Sequence, residues 1–208
     1  MDAQADSGGT PDLWHFGGSH PDVISGRTFG MWLYMMSDAM IFAGLFAAYG
    51  VLDHPWNTAG GPGPHQVSVP LDAFWQTLAV LSSVLAYSLG TVSLKRGSKT
   101  GLMLGIFAAI VLGGVFLGFE IHDFFHLVAA GAPPERSGFL SMFFLLVATH
   151  GAHMAIGLLW MAVMLGQIVT IGFTEEVVAR LLNLRLFWQF QASVWVCVFA
   201  FVYLRGAF

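Results

Sequence analysis

The chain has 208 residues, of which 56% are hydrophobic and only 10% charged, with a formal net charge of −4 and a mean hydropathy of +0.72. A soluble domain is about a quarter charged, so this composition points to a helical bundle in lipid. With no basic patch interleaved with aromatics, it excludes nucleic acid as a partner. The one cysteine, Cys197, cannot form an internal disulfide, a CxxC pair or a cysteine zinc site. It lies in an apolar run and reads as a small buried hydrophobe.

Residues 1–27 are acidic, Gly-rich and polar. A secretory signal needs a basic start and an apolar core, so this stretch is expected to be a flexible cytoplasmic tail. A membrane-spanning helix needs about 20 mostly apolar residues. Five stretches qualify: 28–52, 71–95, 101–131, 138–172 and 185–205. The expected fold is therefore all-α, an integral membrane bundle of five transmembrane helices filling 28–208. HPWNTAGGPGPHQ, KRGSK and GAPPER separate the first four stretches, and their Gly and Pro are helix breakers. Lys and Arg concentrate on cytoplasmic loops. Arg27, Lys95, Arg96, Lys99, Arg180 and Arg185 fall on the N-terminal side, against Arg136 and Arg205 on the other. That bias puts the N-terminus in the cytoplasm and the C-terminus in the periplasm.

Lipid tails are as apolar as leucine, so helices associate through close packing and inter-helix hydrogen bonds. Small residues recur four apart at Gly101 and Gly105, Ala109 and Gly113, and Gly114 and Gly118 of the third stretch. The same spacing occurs at Ala43 and Ala47 and at Ala148 and Ala152. The third stretch is expected to be the close-packed centre.

The polar residues inside the spans are few. Asp38 sits near the middle of the first; a carboxylate there costs at least ~2.5–3.5 kcal/mol and must face protein or water. It reads as a hydrogen-bonding strut between helices or as a proton-relay group. Glu120, His122, Asp123 and His126 crowd one end of the third span, and Thr149, His150 and His153 lie in the fourth. At ~1.5 Å per residue Glu120, His150 and His153 have similar depth, so Glu120 is expected to hydrogen-bond one of the two histidines. His122, His126, His150 and His153 could in principle collect a metal with Glu120, or serve as axial haem ligands on facing helices. No Ser-His-Asp grouping, Walker A loop or dinucleotide motif is present. The first and third spans carry no broken-helix signal and no inverted repeat is seen, which argues against a transporter.

Four segments carry a resemblance: FGMWLYMMSDAMIFAGLFAAYGVL (29–52), GFEIHDFFHLVAAGAPPERSGFLS (118–141), LVATHGAHMAIGLLWMAVMLGQI (146–168) and LFWQFQASVWVCVFAFVYLRGAF (186–208). RSGFLS, THGxH and GLLWM are specific in combination. Together these segments resemble subunit III of haem–copper terminal oxidases, on the quinol-oxidising cytochrome bo branch. The resemblance implies a non-catalytic subunit with no haem, copper or quinone of its own. Haem and copper belong to subunit I, which reduces oxygen and pumps protons. Subunit III would dock on subunit I, through its small-residue faces, with subunits II and IV as further partners. It would support assembly, stability and proton uptake, bind phospholipid in a cleft, and lie in the bacterial inner membrane.

Within that resemblance Asp38 stands where much of the family has a buried Glu, and Glu120, Asp123, His150 and His153 match polar family positions. The last helix departs from it. The family's W-H-F-x-D-x-V-W is here WQFQASVW, so Gln189 replaces a His and Ala192 an Asp, leaving Gln189 as the expected hydrogen-bonding residue. Two rival readings stay open: subunit III of a cytochrome c oxidase or the accessory subunit of a nitric oxide reductase, and a haem- or metal-bearing membrane cytochrome built on His150 and His153 with His122 and His126.

Overall fold

The computed structural model describes residues 23–63, 70–172 and 174–205; most of the expected polar tail lies outside them. The described residues contain no strand, and five helices are long and apolar enough to cross a membrane. These are α1 (Val23–Leu52), α2 (Pro70–Lys95), α3 (Lys99–Ala129), α4 (Gly138–Thr170) and α5 (Glu175–Val198), the last continued by a π-helical stretch, Phe199–Leu204. The chain is a multi-pass membrane protein.

Local chemistry explains where the helices begin. The first backbone N–H groups of a helix need outside acceptors. The Ser98, Ser137 and Thr174 hydroxyls accept from the N–H of Gly101, Leu140 and Val177 at 3.2, 3.2 and 3.3 Å. Gly131, at φ 77°, supplies the left-handed residue that ends α3, a conformation that favours glycine.

The fifth helix starts well before the expected position near Arg185. Glu175, Glu176, Arg180 and Arg185 interrupt the apolar run and hide the first turns from a hydropathy reading. Those turns are helical because Thr174 caps them and because Val177, Val178, Leu181 and Leu184 are buried on one face. Arg180 reaches across to the Gln167 side-chain oxygen of α4 at 3.2 Å. Arg180 and Arg185 are thus helix residues, at the same end of the bundle as the α2–α3 loop.

Two kinds of contact hold the helices together. The first is backbone approach at glycine. A Cβ on Gly105 of α3 would stand 2.5 Å from the Gly90 Cα of α2 and 2.8 Å from the Ala86 carbonyl oxygen, so α2 and α3 pack as a tight antiparallel pair. The second is a seam of aromatic donors between α5 and α2. The Trp188 indole N–H donates to Ser83 Oγ at 3.0 Å, the Trp195 indole N–H to Thr77 Oγ1 at 3.0 Å, and the Tyr87 hydroxyl to the Leu181 carbonyl at 2.9 Å. Trp188 also fills the space left by two glycines. A Cβ on Gly113 of α3 would lie 2.9 Å from its ring, and one on Gly157 of α4 2.8 Å.

The centre of the bundle is therefore α5, not the third span as expected. Half of its most apolar stretch is buried, against 22–33% in the other four. It touches α1, α2 and α4 along its length and reaches α3 through Trp188. The small-residue pairs divide accordingly. Gly101 and Gly105 meet α2, and Ala109 and Gly113 are buried, whereas Gly114 and Gly118 face open space and Ala43, Ala47, Ala148 and Ala152 are exposed. Cys197 is also exposed, contrary to its reading as a buried hydrophobe. It shares the outward stripe of α5 with Ser193, Val196 and Ala200.

Replacing Gly113 or Gly157 by Leu should destabilise the bundle by about 1–3 kcal/mol, the usual cost of overpacking. Gly114→Ala, whose added carbon meets nothing within 4 Å, should change it by less than ~0.5 kcal/mol. Reversible unfolding in detergent measures both.

Candidate functional site

A polar junction lies in the interior where α1, α4 and α5 meet. Asp38 of α1 is 3% exposed. Its Oδ1 lies 2.9 Å from His153 Nε2 of α4, and its Oδ2 accepts the Gln191 side-chain N–H of α5 at 3.3 Å. One carboxyl group thus joins three helices.

The proton count at this junction follows from the second nitrogen of His153. His153 Nδ1 lies 2.7 Å from the Thr149 carbonyl oxygen, and a carbonyl only accepts, so Nδ1 carries hydrogen. A further proton must then lie between Nε2 and Asp38 Oδ1, either on the ring, giving an ion pair, or on the carboxyl. The pair is neutral overall in both cases. Breaking a buried pair by removing one partner is far more costly than the net worth of the pair. Phe42, 5.4 Å from the His153 ring centre, covers one side.

His150, three residues earlier on α4, is fully buried. Its Nε2–H donates to the Gln191 backbone carbonyl at 3.1 Å. Its ring meets the edge of Phe116 at 5.6 Å and the Trp195 ring at 5.2 Å. Glu120 does not bond either histidine, contrary to expectation. Both of its carboxyl oxygens lack a hydrogen-bond partner, and the group lies against Gly151, where a Cβ would be 2.5 Å from Oε1. Depth was matched correctly, but His153 is turned to α1 and His150 to α5, and depth says nothing about direction around the helix axis.

The remaining candidates lie toward the α3–α4 loop. Asp123 accepts from the Gln76 side-chain N–H of α2 at 2.6 Å. His122 is 75% exposed, 3.6 Å from Asp123, and stacks loosely on the exposed His126 at 6.4 Å. Asp72, His122, Asp123, His126 and Tyr203 border a cavity of about 160 Å³. The four histidines are not brought together. Among the described residues no group of three or more His, Cys, Asp or Glu side chains is placed to hold a metal ion. Of the four ring nitrogens of His150 and His153, only His150 Nδ1 lacks a partner.

Sequence reasoning missed Gln191. It named Gln189, which is half-buried and borders a groove of about 330 Å³ with Trp32, Met36, Leu186 and Ser193. The signal was available in the helical period. Trp188, Gln191 and Trp195 recur at i, i+3 and i+7, one face of a helix, and all three are buried.

Fold and junction together define a polytopic membrane protein whose interior polar groups tie helices to one another. The sequence pattern of the family described as cytochrome c oxidase subunit III matches residues 14–207, and the chain belongs to that family. Among its relatives are the cytochrome bo(3) ubiquinol oxidase subunit 3 of Pseudomonas aeruginosa, 44% identical over 90% of both chains, and that of Pseudomonas putida, 42% identical over 85% of this chain and 84% of the relative. The quinol oxidase subunit 3 of Bacillus subtilis is 33% identical over 85% of this chain and 86% of the relative.

A double-mutant cycle between Asp38→Asn and His153→Phe should return a coupling free energy of about 1–2 kcal/mol, measured by reversible unfolding. Gln189→Leu, outside the junction, should couple to neither.

Proposed function

We propose that the chain is the non-catalytic subunit III of a bacterial quinol oxidase, in which a partner subunit carries haem and copper, reduces oxygen and pumps protons. The observation that carries this reading is the likeness over nearly the whole chain to relatives named as quinol oxidase subunit 3. The chemistry of the interior supports it. Asp38, His153, His150 and Gln191 are spent on bonds between helices, which suits a structural role better than haem or metal ligation.

The outward surface supports a role in assembly. Gly114 and Gly118 leave a shallow strip on α3, and small residues at such strips let a neighbouring helix approach closely. Subunit I is the proposed main contact, with subunits II and IV beside it. The groove beside Gln189 suits phospholipid chains between helices. Support of proton uptake by subunit I is part of the same proposal. The distribution of Lys and Arg supports an inner-membrane orientation with the N-terminus in the cytoplasm and the C-terminus in the periplasm.

Affinity purification through a tag on this chain should yield an assembly containing haem and copper that oxidises quinol and not cytochrome c. The chain separated from it should show no haem absorption. Deleting its gene should lower the amount of assembled oxidase in membranes while leaving haem in the partner. Recovery of the tagged chain alone, or haem at one equivalent on the isolated chain, would sink the proposal.

A further inference from the structure

Five buried atoms on four helices lack a hydrogen-bond partner, and all five are acceptors. They are both carboxyl oxygens of Glu120, Gln76 Oε1, Gln191 Oε1 and His150 Nδ1. The last is an acceptor because Nε2 holds the ring hydrogen for the Gln191 carbonyl. The four residues are at most 2% exposed. The other unpartnered buried atom, Arg185 Nε, is a donor nearly two helical turns away from Gln191 on α5.

A chain of contacts links the residues that carry these acceptors. Gln76 is fixed beside Asp123 by their 2.6 Å bond, and Glu120 is the next residue on that face, one turn away. The Glu120 carboxyl abuts Gly151, the neighbour of His150. Phe116, one turn from Glu120, touches both His150 and Trp195, and Trp195 is one turn from Gln191. The titratable groups around these residues are Asp123 on α3, Tyr203 at the end of α5, and the Asp38–His153 pair on the far side of Gln191. The ion pairs of the described residues do not include Glu120.

Buried acceptors require donors, and no hydrogen bond among the described residues supplies one to these five atoms. Two species supply donors in so small a space: a proton on the carboxyl, and water, which brings two O–H groups. We propose that Glu120, with Gln76, His150 and Gln191, forms a buried site that holds water and an exchangeable proton. The site opens to the surface through Asp123 and the cavity that Asp123 shares with Asp72, His122, His126 and Tyr203. A hydronium ion or an imidazolium in that cavity gives up its proton as the O–H bond of Glu120 forms, and release reverses the step. The site runs from Asp123 near the α3–α4 loop to Gln191, whose side-chain N–H bonds Asp38, and does not depend on which electron donor the assembly uses.

Infrared spectroscopy of the intact assembly in lipid tests this. A carbonyl stretch of a protonated carboxylic acid should be present, absent in Glu120→Gln, and shifted to lower frequency in D2O. In Asp123→Asn the shift should slow by on the order of 10-fold or more. Should Glu120→Gln fail to assemble, carbon-13 labelling of glutamate assigns the same band in the unsubstituted protein. A carboxylate signal in place of the acid band, as a bound metal cation would produce, overturns the proton-holding site. A band that D2O never reaches, or reaches equally fast in Asp123→Asn, overturns the route.

Discussion

Lipid imposes two demands on this chain at once: it gives apolar helices no reason to leave it for one another, and it offers no partner to a polar group. Both demands are met at α5. Its Trp188 is large enough to fill the slots left by Gly113 and Gly157, which brings dispersion contacts that lipid tails do not match. The indole N–H groups of Trp188 and Trp195, which would be orphaned in hydrocarbon, end on Ser83 and Thr77 of α2. Close packing and polar satisfaction are thus delivered by the same side chains. That is why the helix with the most interrupted hydropathy is the one the others surround.

The attachment of α1 depends more heavily on polarity. Gly30, Gly44 and Gly50 of this helix meet no neighbour within 4 Å, so α1 has no glycine seam of the kind that joins α2 to α3. It packs on α4 and α5, and its deepest polar link to them is Asp38. A carboxyl group bonded by both His153 and Gln191 fixes the rotation of α1 as well as its distance, since turning the helix would strand a buried charge or a buried proton. At the membrane surface Arg205 stands 3.8 Å from Asp53, a second tie between the ends of α5 and α1. That pair is more exposed and correspondingly weaker.

The last helix meets the junction with a neutral side chain. Gln191 supplies a donor to Asp38 and, through its backbone, an acceptor to His150. The junction is held by neutral groups around one carboxyl–imidazole pair. The unmatched acceptors near Glu120 are the part of the interior that packing alone does not account for.

Much of this was written plainly in the chain. Five uninterrupted apolar stretches can only be helices in a bilayer, because every backbone polar group must be satisfied within its own segment. The motifs from Phe29 to the last helix carried the family. The identity of the buried polar residues was also readable, since polar side chains inside such stretches stand out. Their partners were not. Residue spacing fixes depth along a helix, but which histidine meets which carboxylate depends on the rotation of each helix about its axis, and that is set by contacts between segments distant in sequence. Hence Asp38 took His153, Glu120 took neither histidine, Gln191 and not Gln189 faced inward, and Cys197 faced out. Those pairings, and the central place of α5, were decided only when Trp188 met two glycines from different helices.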